Sequence, residues 1–324
     1  VSLPLDYGAT NVVPYVSGRA TGYLKQKFEN YNPDAKNLRF FGSAGLKTNT
    51  TLIQSWNNVR NSTFDLDRLR QVIRPYAHAW VGVDSLNDGG LPVYDQEIEA
   101  ISGGSAIRAG VRQIFQTKRG GGGRRRSVDW IDLDMGAQLN DGADVFTLAD
   151  ARTPWTYAQS PNPTWVDWRP ELSQWGSHLY GNLNWNLSDT FSVGGSAKYL
   201  VDTLTGVEIL ADGSQVLQEY DGLMTGSLGF QVDHSPAVST YLEYRYIQAG
   251  QTELLQAGLA YKLGRRYLIG CTPQYDLLAN EMRAISGTLT RTFNDFDLQF
   301  EAGYDVIRDS PSVSLRFGLP AGGG

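Results

Sequence analysis

One cysteine, Cys271, stands in 324 residues, so no internal disulfide can form. Its alternating phase sets it with Tyr267, Ile269 and Tyr275 on an apolar face, where a thiol packs as a small hydrophobe. Histidine is almost as scarce, at three: His78, His178 and His234. No close His/Cys cluster has metal-ligand spacing, so neither a metal nor a cofactor is expected. No run of 18 apolar residues exists, which excludes membrane-spanning helices. A net charge of -6 argues against a nucleic-acid partner. The chain opens Val1-Ser2-Leu3-Pro4, without an initiator Met or a signal peptide. The expectation is a fragment or processed chain, lacking its N-terminal periplasmic part and leader.

What the chain has in quantity is alternation. The stretch Ser312-Val313-Ser314-Leu315-Arg316-Phe317-Gly318-Leu319 puts Val, Leu, Phe and Leu on one face and Ser, Ser, Arg and Gly on the other. A period of two means extended strands with one dry and one wet face. Repeated along the chain at membrane-spanning length, it is the pattern of an antiparallel transmembrane β-barrel with a polar lumen. A mean hydropathy of -0.32 fits, because half of each such strand meets water. The 36 glycines suit a curved sheet, and 17 tyrosines with 8 tryptophans suit bilayer interfaces.

The alternation marks about fourteen strands, each bounded to within a few residues. The early ones span Val12–Leu24, Leu38–Leu52, Arg70–Val83, Ala106–Lys118 and Asp129–Leu139. The later ones span Ser177–Leu187, Phe191–Val201, Gln218–Val232, Val238–Ile247, Leu254–Leu263, Tyr267–Leu277, Arg283–Phe293, Phe296–Val306 and Ser312–Leu319. Connectors alternate short and long, as short periplasmic turns and long external loops do. Three connectors break the rule: Gln248–Thr252 and residues 307–311 are brief for external loops, and Gln54–Leu69 is long for a periplasmic one. Residues 1–324 therefore read as one barrel domain, either closed by itself or forming the later strands of a larger barrel. An isolated half-barrel would expose two edges in the membrane at high cost.

Catalytic constellations are few. His78 and His178 fall in lumen-facing phase and His234 in a short turn. A hydrolase would need a Ser/His pair oriented by a third polar group, and His178 with Asn182 is the nearest approach. Polar lining is the simpler reading. Asp132 and Asp134 share a lumen face, as acidic residues on a wet wall do. Gly120–Gly123 lies between Lys118-Arg119 and Arg124-Arg125-Arg126, without the strand, helix and terminal Lys-Ser/Thr of a phosphate loop. It reads as a solvated basic turn.

The lumen phase holds a basic series: Arg19, Arg39, Lys47, Arg74, Arg108, Arg112, Lys198, Arg245 and Lys262. Arginine presents a planar fork that suits phosphate and carboxylate, so this wall is a candidate site for an anionic glycolipid or acidic sugar. The interleaved acids Asp132, Asp134, Glu243, Asp297 and Glu301 could equally pair with these bases.

Several stretches together carry a resemblance. They are Phe64-Asp65-Leu66-Asp67-Arg68-Leu69-Arg70 with Ile73-Arg74-Pro75-Tyr76, the run Ala109 to Arg119, Val128-Asp129-Trp130-Ile131-Asp132-Leu133, and Tyr304-Asp305-Val306-Ile307-Arg308-Asp309 with the closing strand to Phe317. From about Val12 to Leu319 the chain resembles the C-terminal barrel of the LptD family of lipopolysaccharide-assembly outer-membrane proteins, in the form of a planctomycete-like, divergent member. The resemblance implies a non-enzymatic barrel in the outer membrane of a Gram-negative-type bacterium. It implies insertion of lipopolysaccharide or a related glycolipid into the outer leaflet. The implied partners are that lipid, an LptE-like plug lipoprotein, periplasmic bridge proteins and outer-membrane lipid. The family's disulfide-forming cysteines are absent.

Such a function needs a lateral seam of weak pairing. Pro14, Pro311 and Pro320 are seam candidates, because proline cannot donate to a ladder. A porin-like passive channel is the alternative expectation, and an outer-membrane lipid hydrolase near His178 a third.

Overall fold

In a computed structural model of the chain, the described residues are 1–22, 38–85, 104–120, 125–141, 145–148, 177–209, 215–248, 252–306 and 309–318. The described secondary structure is all β. In chain order the strands begin β1 (Leu5–Tyr7), β2 (Thr10–Gly22), β3 (Leu38–Thr50), β4 (Leu52–Asn61), β5 (Leu66–Asp84), β6 (Gly104–Arg119) and β7 (Arg126–Asp141). Then follow β8 (Val145–Leu148), β9 (His178–Asn186), β10 (Phe191–Leu200), β11 (Leu204–Ile209), β12 (Gln215–Tyr220) and β13 (Leu223–Ser235). The series ends with β14 (Val238–Ile247), β15 (Thr252–Leu263), β16 (Tyr267–Asp276), β17 (Glu281–Thr292), β18 (Asp297–Asp305) and β19 (Ser310–Gly318).

Sixteen of these form one antiparallel sheet, ordered β1-β2-β3-β5-β6-β7-β9-β10-β13-β14-β15-β16-β17-β18-β19 with β4 on β5. This up-and-down order, in which each strand lies beside its neighbour in sequence, is that of the transmembrane β-barrel class. Among the described residues no pairing joins the β1 and β19 edges, so the sheet is not closed. A separate sheet, β12-β11-β8, is built from the two long connections on one side.

Where they are described, the alternating segments expected from the sequence lie on strands of the large sheet, with one correction. The strand expected at Gln218–Val232 begins at Leu223, because Gln218–Tyr220 belongs to β12 of the small sheet and a turn at Asp221-Gly222 separates the two. The additions are short or bent. Gln54–Leu69 is not a long connector: β4 continues β3 past a break at Thr51 and pairs with β5 from Leu52↔Ile73 to Asn61↔Leu66. The true turn is short, and the alternation of short turns and long loops holds there too. β1 folds back on β2 through Gly8, whose φ of 64° suits a residue without Cβ.

The two faces reverse the usual pattern of a water-soluble protein. Buried side chains on the large sheet include Arg39, Gln138, His178, Glu243, Arg245 and Gln256, while Val81, Leu139, Val313 and Phe317 are more than half exposed. Curvature crowds the polar face and opens the apolar one. The apolar rows are continuous: Val238, Tyr261, Ile269, Leu289, Phe300 and Leu315 are consecutive partners across β14 to β19. A band of this kind is stable against lipid, not against water.

Candidate functional site

Period-two geometry turns the register of the sheet into rows of neighbouring side chains on the polar face. One row runs Lys47, His78, Arg108, Gln138 and His178 over β3, β5, β6, β7 and β9. Two residues toward the turn side, the next row runs Asn49, Tyr76, Gly110, Gly136, Tyr180 and Lys198. The third runs Arg74, Arg112, Asp134, Asn182, Ser196, Ser227 and Arg245. Six of the candidate bases, Lys47, Arg74, Arg108, Arg112, Lys198 and Arg245, thus occupy three adjacent rows.

The rows are tied together by hydrogen bonds and ring contacts. The Tyr76 hydroxyl donates to Asp134 Oδ1 at 2.7 Å and is hydrogen-bonded to the Tyr180 hydroxyl. Glycine makes this possible, because a Cβ at Gly110 would stand 2.6 Å from the Tyr180 hydroxyl and 2.7 Å from that of Tyr76. The Arg108 guanidinium lies 4.2 Å from the Tyr180 ring centroid and 3.9 Å from Asp134. Such a cation over a ring face is held by the ring's quadrupole. Tyr15 leans over Gly45, its hydroxyl 2.7 Å from His78 Nε2, with Lys47 5.2 Å from its ring centroid.

The other bases are placed differently. Arg112 forms a bidentate pair with Asp132, at 2.9 and 2.6 Å. Arg245 forms one with Glu243, two residues away on β14, at 2.8 Å for both bonds. Arg39 is buried at the loop-side rim and pairs with Asp84. Arg19 is exposed beside Phe41 at the same rim, and Lys262 is exposed next to the turn at Gly264, so neither joins the three rows. Arg74 is exposed and has no ion-pair or hydrogen-bond partner among the described residues.

The basic series has two kinds of neighbour, of which the sequence suggested the acids alone. Acids pair with part of it, and aromatic rings brace another part. The rings were not singled out as site residues in the sequence, since Tyr15, Tyr76 and Tyr180 acquire a role only through register. A lumen-phase tyrosine whose cross-strand partner is glycine is the signal that would have found them.

His178 is buried, with Gln138 and Leu200 as cross-strand partners and the Tyr180 ring centroid 6.3 Å away. Among the described residues, no group of three or more His, Cys, Asp or Glu side chains converges as a metal site would require. The basic turn is less open than its sequence suggests. Arg119 is buried and donates to the Asn186 and Leu187 carbonyl oxygens at 2.7 and 2.9 Å. Arg125 pairs with Asp67, and Arg126 lies 3.2 Å from Asp189. Residues 121–124 lie outside the described set.

The prolines divide. Pro14 accepts from the Leu3 N–H at 3.0 Å, and Val16 exchanges bonds with Val1, so these residues point away from β3. The donor that Pro14 lacks is therefore missing on the outer edge of β2. Pro311 stands opposite Tyr304 in β19, the last strand of the sheet. Pro320 lies outside the described residues.

No protein-family model matches the chain, and no curated protein matches it. Among solved structures it is similar to the KdgM porin in complex with disordered oligogalacturonate, at 10% identity and a TM-score of 0.29, over 66% of this chain and 92% of that one. It is similar to a mutant porin of Rhodopseudomonas blastica at 9% identity and a TM-score of 0.42, over 96% and 90%. A structure from work on the asymmetric conductivity of engineered proteins aligns at 7% identity and a TM-score of 0.39, over 95% and 99%.

Proposed function

We propose that this chain forms a polar-lined passive channel across the outer membrane, porin-like and without covalent catalysis. The observation that carries this reading is the continuity of the polar rows behind an exposed apolar band. The row from Arg74 to Arg245 crosses seven paired strands without an apolar residue. Buried in a soluble core, such a row would cost several kcal/mol for each poorly matched charge. Beside a water-filled lumen, the exposed Arg74 and Arg112 stay solvated, and the buried Arg245 is matched by Glu243. The test is conductance of the purified protein in a planar bilayer. Stepwise insertion of steady ohmic pores is the expected result, and folded protein that leaves the bilayer silent would refute the reading.

A second reading, glycolipid insertion in the manner of the LptD-like barrels, is favoured by one observation. The two ends of the sheet are unjoined among the described residues, and Pro14 withholds a donor on one of those ends. A seam that opens sideways needs weak pairing there. This function would require lipopolysaccharide or a related glycolipid, a plug lipoprotein and periplasmic bridge proteins. Affinity purification from native membranes tests it, with co-purified glycolipid and lipoprotein as the result that would displace the channel.

A further inference from the structure

Arg74 and Arg112 are direct cross-strand partners on the polar face of β5 and β6. Two like charges opposite one another destabilise a sheet, and natural sequences break that rule where function gains from it. Asp132 takes the Arg112 fork with both of its oxygens. Among the described residues, nothing equivalent reaches Arg74. Four residues along the same face of β5, Arg70 is likewise exposed and without an ion-pair or hydrogen-bond partner among the described residues. Its cross-strand neighbours are Ser55 and Gln116, both uncharged. Gln116 already donates to Asp129 at 2.8 Å.

The contrast with other bases of the sheet is consistent. Arg39, Arg119 and Arg245 are buried and engaged by carboxylates or carbonyl oxygens, and Arg108 is braced by Tyr180 and Asp134. Those four are wall structure. Arg70 and Arg74 are exposed forks on one strand, β5, with a third fork, that of Arg112, opposite Arg74 and held in place by Asp132.

We propose that Arg74, with Arg112 beside it and Arg70 further along β5, forms an anion-binding station that takes a carboxylate or phosphate group of a small solute. The station deepens the channel reading by naming its substrate class, and it rests on that reading for the passage of the solute, not for its binding. The unpaired Arg74 fork donates two parallel bonds to either oxyanion, while Arg112, its own fork held by Asp132, lines the facing strand and Arg70 offers a second open fork four residues along β5.

Equilibrium binding to the detergent-purified full chain tests the station. Inorganic phosphate and glucuronate are titrated separately, with glucose as the neutral control, against the native protein and the Arg74→Ala, Arg74→Lys and Arg70→Ala variants. Far-UV circular dichroism and heat-modifiable gel migration establish that each variant is folded. Saturable binding of at least one anion, no binding of glucose, and about tenfold weakening in Arg74→Ala are expected. Arg74→Lys should recover part of that loss, since it keeps the charge and loses the fork. The preferred anion identifies the solute class. Undiminished binding in Arg74→Ala, or equal binding of glucose, overturns the station. Anion binding by a protein that forms no pores would refute the channel and leave the station standing, whereas pores without anion binding would do the reverse.

Discussion

The hydroxyls of Tyr76 and Tyr180 hydrogen-bond to each other although β6 and β7 lie between their strands. Each ring lies down across a glycine, Gly110 beneath one and Gly136 beneath the other, and these glycines are themselves cross-strand partners. Four strands are thereby clamped on the polar face by two side chains. The clamp also fixes Asp134, which accepts from Tyr76, and through it the place of Arg108.

A Cβ at Gly110 would stand 2.8 Å from the Met135 carbonyl oxygen as well as close to both hydroxyls. Backbone cannot retreat as a side chain can. Gly110→Ala should therefore cost about 1–3 kcal/mol in denaturant unfolding from lipid vesicles. Tyr76→Phe removes only the hydroxyl and should cost about 1–2 kcal/mol, from two bonds, one of them to a carboxylate. If Gly110→Ala proves neutral, the rings are not seated on the glycines.

Glu243 and Arg245 form a bidentate pair with both side chains nearly inaccessible, at 3% and 6% exposure. Removing one member leaves the other's charge in a crowded place. Glu243→Leu should destabilise by about 3–5 kcal/mol, while Glu243→Leu with Arg245→Leu should recover most of that loss. A double-mutant cycle reads both. A double variant as damaged as the single would mean that water already solvates the pair.

Which face meets lipid is open to a direct test on one strand. Leu289 sits in the apolar row between Ile269 and Phe300, and Thr288, one residue earlier, faces the other way beside Glu301. Leu289→Lys should cost about 2–4 kcal/mol if the row crosses the bilayer midplane. Thr288→Lys gains an acidic neighbour and should be close to neutral. Vesicle refolding titrations of the two variants decide, and equal effects would remove the assignment of faces.

Much of this architecture was legible because period two is a strong signal over long strands. The closing stretch from Ser312 shows it plainly. β4 was missed because Leu52-Ile53-Gln54-Ser55-Trp56-Asn57-Asn58 does not alternate, and this strand is paired on one side only and mostly exposed. β1 is too short to carry a period at all. The phases of Lys47, Arg74 and Arg108 were readable one strand at a time. That they fall in adjacent rows with His78 and His178 was not, since a row exists only once register is set by pairing and bulges, such as the one at Phe115/Gln116. The same holds for the tyrosines, whose glycine partners lie on other strands.

The unjoined edges yield the last prediction. Unpaired backbone groups in hydrocarbon cost several kcal/mol each, so a sheet of this kind has to close in a membrane. β2 runs from the turn side to the loop side and β19 runs back, so these two would meet antiparallel. Residues 1–7 lie along the outer edge of β2 and run in the same sense as β19. Closure therefore takes one of two forms: β19 displaces residues 1–7 from β2, or it pairs with them in parallel. Antiparallel pairing is the more stable per residue, and we expect displacement. In a Cys271→Ser background, cysteines at Val12, Val16 or Ala20 should form disulfides with cysteines at Val313, Leu315 or Phe317 in a ladder that descends one strand as it climbs the other. Cross-links from Leu3→Cys that run in parallel order would instead place the N-terminal residues inside the wall. A complete lack of cross-links in membranes would favour the laterally open seam over the closed channel.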